Sequence, residues 1–386
     1  MKIGLVTFWW SQENYGQLLQ CFATQKYLQQ LGHDAFLIRI RNFLEEPSEE
    51  ISVPMPVWKK LQSWQHWKYL ARSIYERFYQ SYINAHVLNH NVDRQFDDFR
   101  DKYIASTKRV YSHDELLDDS PEVDVLATGS DMAWGVGLHH HEYLLDFGKS
   151  ETRRIAIAAS FGRTWESLTE REKEICKKYI SRYDAITVRE DEGVKICKNL
   201  GMANAVQVCD PTMLLDISIY EELKNSASIP DFSDKAFIYY IGYDDSYLTD
   251  YDIVSVLKKK DLHYNYASAG RVNALPKVFP TIPQWLRYIH DSRFVITNSF
   301  HGVIFCLLFK KQFAVIPLKL EQRNTRILTI LREFGLEDRI CRTKSQLFAA
   351  IDTKIDYHAI SPVVKQYQSM SRNVIRQILY SNEVVQ

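Results

Sequence analysis

The sequence predicts an α/β protein built as two Rossmann-like lobes facing each other across a cleft. Three observations carry this expectation. The chain opens with strand, helix and strand in succession, and a second alternating series begins after a polar stretch near residue 216. Several predicted strands end in short polar turns, the edge at which parallel sheets gather their ligands. At 386 residues the chain is also long for one core, so two domains are the default.

Lys2 to Phe8 is an apolar strand, Gly16 to Leu31 has helical spacing and stops at Gly32, and Asp34 to Ile40 is strand again. The loop from Trp9 to Gln17 has too few glycines for a dinucleotide fingerprint. Its Asn14, Tyr15, Gly16 and Gln17 could contact a polyol, although an ordinary βα turn has the same look. From Glu45 to about Pro56 the chain turns acidic and proline-bearing. Trp58 to Tyr82 then shows helical spacing with dense aromatic and basic residues. Such a helix could lie at a membrane surface and meet a lipid-linked substrate, or pack on its own domain.

Val123 to Thr128 is a buried-strand run ending in Gly129-Ser130-Asp131, and Ile155 to Ala159 ends likewise in Ser160-Phe161-Gly162. His139, His140 and His141 read as a polar loop, because adjacent histidines point in different directions and make a poor ligand set. A helix at Thr169 to Ser181 leads to a strand at Ala185 to Val188, whose end carries Arg189. A guanidinium there could hold carboxylate or phosphate through paired hydrogen bonds, or could pair with Glu190, Asp191 or Glu192 close by. Ala205 to Cys209 and the turn Asp210-Pro211-Thr212 close a first domain at 1–215, with an aromatic helical insertion at about 45–104.

Leu215 to Asp234 is mixed and polar, a candidate linker. Strands follow at Ala236 to Ile241, His263 to Ser268, Phe294 to Thr297 and Phe313 to Pro317, separated by helical stretches at Asp250 to Lys260, Pro283 to His290, Val303 to Lys311 and Thr325 to Phe334. They make a second domain at 216–360. Val363, Tyr367, Met370, Val374 and Ile378 give one apolar face to a C-terminal helix within 361–386, in position to cross back to the first lobe.

Within the second lobe, Phe294 to Lys311 reads strand, turn, helix. Asn298 and Ser299 are favoured N-cap types, and Gly302 lets the backbone approach something bound at the first helical turn. Free N–H groups there attract an anion. His301 sits beside that position, and an imidazole is suited to proton transfer near neutrality. Alternatively His301 only caps the helix and bonds to the core.

Composition narrows the setting. Forty-eight basic and 48 acidic residues balance, which argues against broad nucleic-acid binding. Six cysteines lie far apart with no C-x-x-C pair, which fits a reduced, cytosolic protein without a zinc site. The N-terminus enters a strand-like run directly, and no uncharged stretch of about 18 residues occurs, so neither a signal peptide nor a membrane span is expected. The expected location is cytoplasmic, at the inner membrane face if the Trp58 to Tyr82 helix touches lipid.

Six motifs together resemble the polysaccharide pyruvyl transferases: Asn-Tyr-Gly-Gln-Leu-Leu-Gln at 14–20, Gly-Ser-Asp at 129–131, Ala-Ala-Ser-Phe-Gly at 158–162, Val-Arg-Glu at 188–190, Asp-Pro-Thr at 210–212 and Asn-Ser-Phe-His-Gly at 298–302. The resemblance runs from residue 1 to about 340 in the family's order. It departs after Asp131, where Met132-Ala133-Trp134-Gly135 stands in place of the Gln-Val-Trp-Asn of many relatives. The segment Glu45 to Ile104 is the least family-like.

The resemblance implies a GT-B-like fold and transfer of the pyruvyl group of phosphoenolpyruvate onto two hydroxyls of a sugar, giving a cyclic ketal in a bacterial surface-polysaccharide precursor. On that basis Arg189 binds phosphate or carboxylate, Asn298 and Ser299 present a helix terminus, and His301 donates or relays a proton. Asn324 and Arg326 match a later polar motif placed at the cleft. The partners implied are phosphoenolpyruvate, as donor rather than cofactor, and a sugar acceptor, lipid-linked if the aromatic helix meets membrane. Such chemistry needs no metal, and Asp244-Asp245 is a weak metal signal. A GT-B nucleotide-sugar glycosyltransferase and a catalytically silent sugar-binding homologue share the fold and stand as alternatives. Oligomeric state is not legible.

Overall fold

The computed structural model describes residues 1–41, 92–242, 245–270 and 275–380. The expected helix at Trp58 to Tyr82 and Asp244 of the Asp244-Asp245 pair lie outside them. Two parallel sheets form the frame. The first has seven strands in the order β3 (Ser106–Tyr111), β2 (Asp34–Ile40), β1 (Lys2–Val6), β4 (Val125–Thr128), β5 (Arg153–Ala159), β6 (Ala185–Val188) and β7 (Val206–Gln207), and the second has four in the order β11 (Phe313–Val315), β10 (Phe294–Thr297), β8 (Ala236–Ile241) and β9 (Tyr264–Ala269).

In the first sheet, β1 (Lys2–Val6), β4 (Val125–Thr128), β5 (Arg153–Ala159) and β6 (Ala185–Val188) are the central strands, almost wholly buried. They read as continuous apolar runs because helices cover both faces of a parallel sheet. β2 (Asp34–Ile40) and β3 (Ser106–Tyr111) extend one edge, and β7 (Val206–Gln207) ends the other. The order reverses between β1 and β4, and the loop from Trp9 to Asn14 leaves the sheet at that point.

The second sheet contains β8 (Ala236–Ile241), β9 (Tyr264–Ala269), β10 (Phe294–Thr297) and β11 (Phe313–Val315). Its helices are started by reciprocal caps, as where Thr249 accepts from Asp252 N–H and Asp252 accepts from Thr249 N–H, and again at Thr281 with Gln284. Residues expected as a linker instead form the helix Ile217–Asn225, which packs against the helix Ile282–Asp291 and is tied to it where Arg287 donates to the Ala227 carbonyl.

One core runs through both lobes. Tyr15, at the start of the helix Tyr15–Gln30 of the first lobe, stacks on Trp285 of the second with ring centroids 5.2 Å apart, and its hydroxyl donates to the Pro280 carbonyl at 2.7 Å. Arg94 donates to the Ser268 carbonyl, and the Gly270 N–H donates to Glu13. On the other side of the junction Asp191 accepts from Thr329 at 2.6 Å and from Arg332 at 2.8 Å.

The last helix, Tyr357–Tyr380, lies against the first sheet. Its Ser371 hydroxyl accepts from the Cys209 N–H, and Arg153 donates to the carbonyls of Ile378 and Leu379. The expected apolar face is shifted. Val363 and Met370 are exposed, while Val364, Ser371, Ile375, Ile378 and Leu379 are buried. All six cysteines are buried and free. Among the described residues no helix is long and apolar enough to cross a membrane.

Candidate functional site

Four strand ends of the first sheet meet two helix starts of the second lobe. Ser130 and Asp131 follow β4, Ser160 to Gly162 follow β5, Arg189 and Glu190 follow β6, and Asp210 lies just past β7. Parallel strands deliver these ends to a common edge. From the second lobe, β10 runs through Asn298 and Ser299 into the helix Phe300–Leu308, which carries His301, and Arg326 lies in the first turn of the helix Thr325–Glu333.

The backbone is bent where the site is built. Asp131 has φ 75°, in the left-handed region, and is held there by a parallel bridge to Ala159. Ala158 has φ 53°, at a shift of register between β5 and β6 after Ala156. Such a bulge re-aims the residues beyond it, here Ser160 and Phe161.

Arg189 is buried among acids. It donates to Asp210 Oδ2 at 2.9 Å, to Asp131 Oδ1 at 3.0 Å and to the Ser130 hydroxyl at 3.2 Å. Its guanidinium carbon lies 4.6 Å from the ring centre of Phe300, which comes from the other lobe. Burial opposes the charge, but Asp131, Asp210 and Glu190 outweigh it and raise the Arg189 pKa. Both terminal nitrogens are therefore engaged by carboxylates. Arg189 thus bridges Asp131 and Asp210, and of the expected 190–192 cluster Glu190 lies 3.8 Å from its Nε.

Asp210 accepts from Ser130, Arg189 and both the N–H and hydroxyl of Thr212. Burial alone would keep this carboxyl protonated; His301, Arg189 and Thr212 hold it far below the usual carboxylate range. Asp131 follows the same pattern, its burial outweighed by Arg189, His301 and Arg326.

His301 is buried, with Nε2 3.5 Å from Asp210 Oδ2 and without a hydrogen-bond partner among the described residues. The opposite side of its ring is closed by Gly16 of the first lobe, whose missing Cβ would fall 2.1 Å from Nδ1. Arg326 reaches within 3.6 Å of Asp131, and desolvation and the neighbouring Arg189 lower its pKa to about 10. It is the guanidinium here whose charge is least compensated.

The other expected contacts divide. Ser299 is the N-cap, its hydroxyl accepting from the Gly302 N–H, and a Cβ on Gly302 would meet Thr297 Oγ1 at 2.7 Å. Asn298 pairs in both directions with the Ile241 backbone, and Asn324 does the same with Leu318, so both side chains brace loops. Asn14 caps the helix it precedes and Gln17 accepts from the Ser11 N–H. Tyr15 belongs to the core between the lobes rather than to a polyol site. Ser160 accepts from the Gly162 N–H, the Phe161 ring packs on Trp134 with its N–H donated to Glu190, and Gly162 has φ 60° against Met132.

Two residues were missed as site residues, Asp210 and Glu190. Their signal was the motif membership of Asp-Pro-Thr and Val-Arg-Glu. Among the described residues no group of His, Cys, Asp and Glu is arranged to hold a metal ion.

A family model described as polysaccharide pyruvyl transferase matches residues 14–319. No curated protein sequence matches significantly. Among solved structures, the UDP-GlcNAc 2-epimerase of Methanocaldococcus jannaschii is similar at TM-score 0.53 and 10% identity, over 99% of this chain and 100% of that one. The UDP-N-acetylglucosamine 2-epimerase of Rickettsia bellii is similar at TM-score 0.52 and 8% identity, over 98% and 96%. At such identity these likenesses establish the GT-B-type fold.

Proposed function

Since this chain belongs to the polysaccharide pyruvyl transferase family, we propose that it transfers the pyruvyl group of phosphoenolpyruvate to two hydroxyls of a sugar, forming a cyclic ketal in a surface-polysaccharide precursor. The observation that supports this most is convergence: Gly16, Ser130, Asp131, Arg189, Asp210 and His301, from five motifs spread over 286 positions of sequence, meet at the junction of the lobes.

The chemistry asks for an anion holder, a proton donor, a base and exclusion of water. Arg326 suits the first, because a phosphate or carboxylate would supply the counter-charge that its burial leaves short. The N-terminus of the helix Phe300–Leu308 adds a field of the same sign. Arg189 holds Asp131 and Asp210 in place, and Asp210 in turn orients His301. In this reading His301, whose Nε2 has no hydrogen-bond partner among the described residues, exchanges a proton with an acceptor hydroxyl. The cationic centre formed when the enol carbon is protonated is protected in a site closed by both lobes.

Calorimetry with phosphoenolpyruvate, UDP-sugars and GDP-sugars tests the donor. Phosphoenolpyruvate is expected to bind in preference. Phosphate release with galactose- and mannose-containing acceptors then tests the transfer. Tight UDP-sugar binding without a response to phosphoenolpyruvate favours a glycosyltransferase instead.

A further inference from the structure

Resting on the pyruvyl-transfer reading, we infer that Glu190 is the acid that protonates the methylene carbon of phosphoenolpyruvate, leaving His301 as the base toward the acceptor hydroxyl. Glu190 is 1% exposed and sits at the N-cap of the helix Asp191–Asn199, yet its side chain makes no capping bond. Glutamate is not a favoured N-cap residue. One carboxyl oxygen accepts from the Phe161 N–H at 3.2 Å, and the other, Oε2, has no hydrogen-bond partner among the described residues. It lies 3.8 Å from Arg189 Nε, which likewise makes no hydrogen bond among them. A broken local rule is expected at functional positions.

The charges around it explain how it keeps a proton. Two guanidiniums, Arg189 and Arg326, already face two carboxylates, Asp131 and Asp210. A third ionised carboxylate would leave a negative charge uncompensated beside the position of an anionic substrate. Burial accordingly raises the Glu190 pKa, against the pull of Arg189, the Ser160 hydroxyl and Arg326. The nearby Cys197 thiol and Tyr367 phenol are pushed up by their own burial and stay neutral.

The proton balance closes. The Glu190 carboxylic acid gives its proton to the methylene carbon, which becomes the methyl group as the carbon–carbon π bond is spent. The first sugar hydroxyl adds to the cationic carbon and yields its proton to His301, from which Glu190 is recharged. The second hydroxyl adds as the carbon–oxygen bond to phosphate breaks, and its proton leaves with phosphate. Nothing is oxidised or reduced.

The test uses the full-length protein and its Glu190→Gln and Glu190→Asp variants. Gln still accepts from the Phe161 N–H but carries no acid proton. Phosphate release should fall about 10²–10⁴-fold in Glu190→Gln, with partial recovery in Glu190→Asp and calorimetric phosphoenolpyruvate affinity within a few-fold of wild type. Melting temperature against pH gives a second reading, independent of acceptor. The native carboxyl keeps a proton that the unfolded chain gives up, so wild type should lose stability relative to Glu190→Gln as pH rises above the ordinary glutamate range. Parallel profiles, or wild-type turnover in Glu190→Gln, overturn the assignment while leaving pyruvyl transfer intact. A wild-type protein that binds no phosphoenolpyruvate overturns both.

Discussion

Gly16 and His301 belong to different lobes and touch so closely that residue 16 has room for no side chain: a Cβ there would stand 2.1 Å from His301 Nδ1 and 2.4 Å from Cγ. The glycine starts the helix Tyr15–Gln30, and the histidine lies in the first turn of Phe300–Leu308. The contact therefore couples lobe closure to the position of the imidazole. Gly16→Ala should force either the ring or a lobe aside, at a cost of about 1–3 kcal/mol typical of overpacking. Turnover should drop further than stability alone explains. A variant with wild-type melting temperature and wild-type phosphate release would show that the junction yields freely.

Arg189 is expected to matter first for stability. Removing it by Arg189→Met strands Asp131 and Asp210 in a buried site, a change that commonly costs about 3–5 kcal/mol. Arg189→Lys keeps the charge but lacks the planar fork that spans two carboxylates, so it should recover only part of the loss. Denaturant midpoints and phosphoenolpyruvate affinity, measured together, distinguish the roles. Unchanged midpoints with weakened affinity would restore the substrate-anion role that the sequence suggested.

That difference shows what was legible in the sequence. β8 and β10 stand where their apolar runs predict, Ala236–Ile241 and Phe294–Thr297, because parallel strands buried on both faces need no alternation to be seen. β3, Ser-Thr-Lys-Arg-Val-Tyr, carries no such run, since it is an edge strand with little buried surface. The carboxylates hydrogen-bonded to Arg189 lie 58 and 21 positions away, whereas the acids at 190–192 are adjacent in sequence. Spacing cannot rank a tertiary pair above a neighbour. On the C-terminal helix Tyr367, Val374 and Ile378 pack on the core as expected while Val363 and Met370 do not, because adjacent valines, Val363 and Val364, allow either phase. Asn298 has the residue type of an N-cap and Asn324 that of a cleft motif, and only the positions of the Ile241 and Leu318 backbones reveal that both side chains brace loops.

A pH effect on stability should arise away from the site. His113 Nε2 lies 2.8 Å from Asp146, and this hydrogen bond, working against partial burial, raises the His113 pKa, with Asp146, Glu142 and Asp114 adding to it. A histidine with a folded pKa above its unfolded value stabilises most at low pH, and the benefit fades as pH rises through the folded value. His113→Gln should therefore lower the melting temperature below about pH 6.5 and have less effect in mildly alkaline buffer. A gap between the two proteins that widens toward alkaline pH would contradict the sign.

His301 carries the sharpest prediction. Its ring is flanked on one side by Gly16 and on the other by Asp210, with Nε2 making no hydrogen bond among the described residues. Glutamine keeps polarity and much of the volume but cannot carry a proton between hydroxyl and acid. His301→Gln should lose about 10²–10⁴-fold in phosphate release, the range of positioned acid–base catalysis. Phosphoenolpyruvate affinity should change much less, since the proposed anion holders are Arg326 and the helix terminus. A purely structural histidine would produce the reverse order, a lower melting temperature with activity in proportion to folded protein. Melting temperature, affinity and turnover taken from one preparation separate these outcomes, and a stable, fully active His301→Gln protein would remove the imidazole from the chemistry.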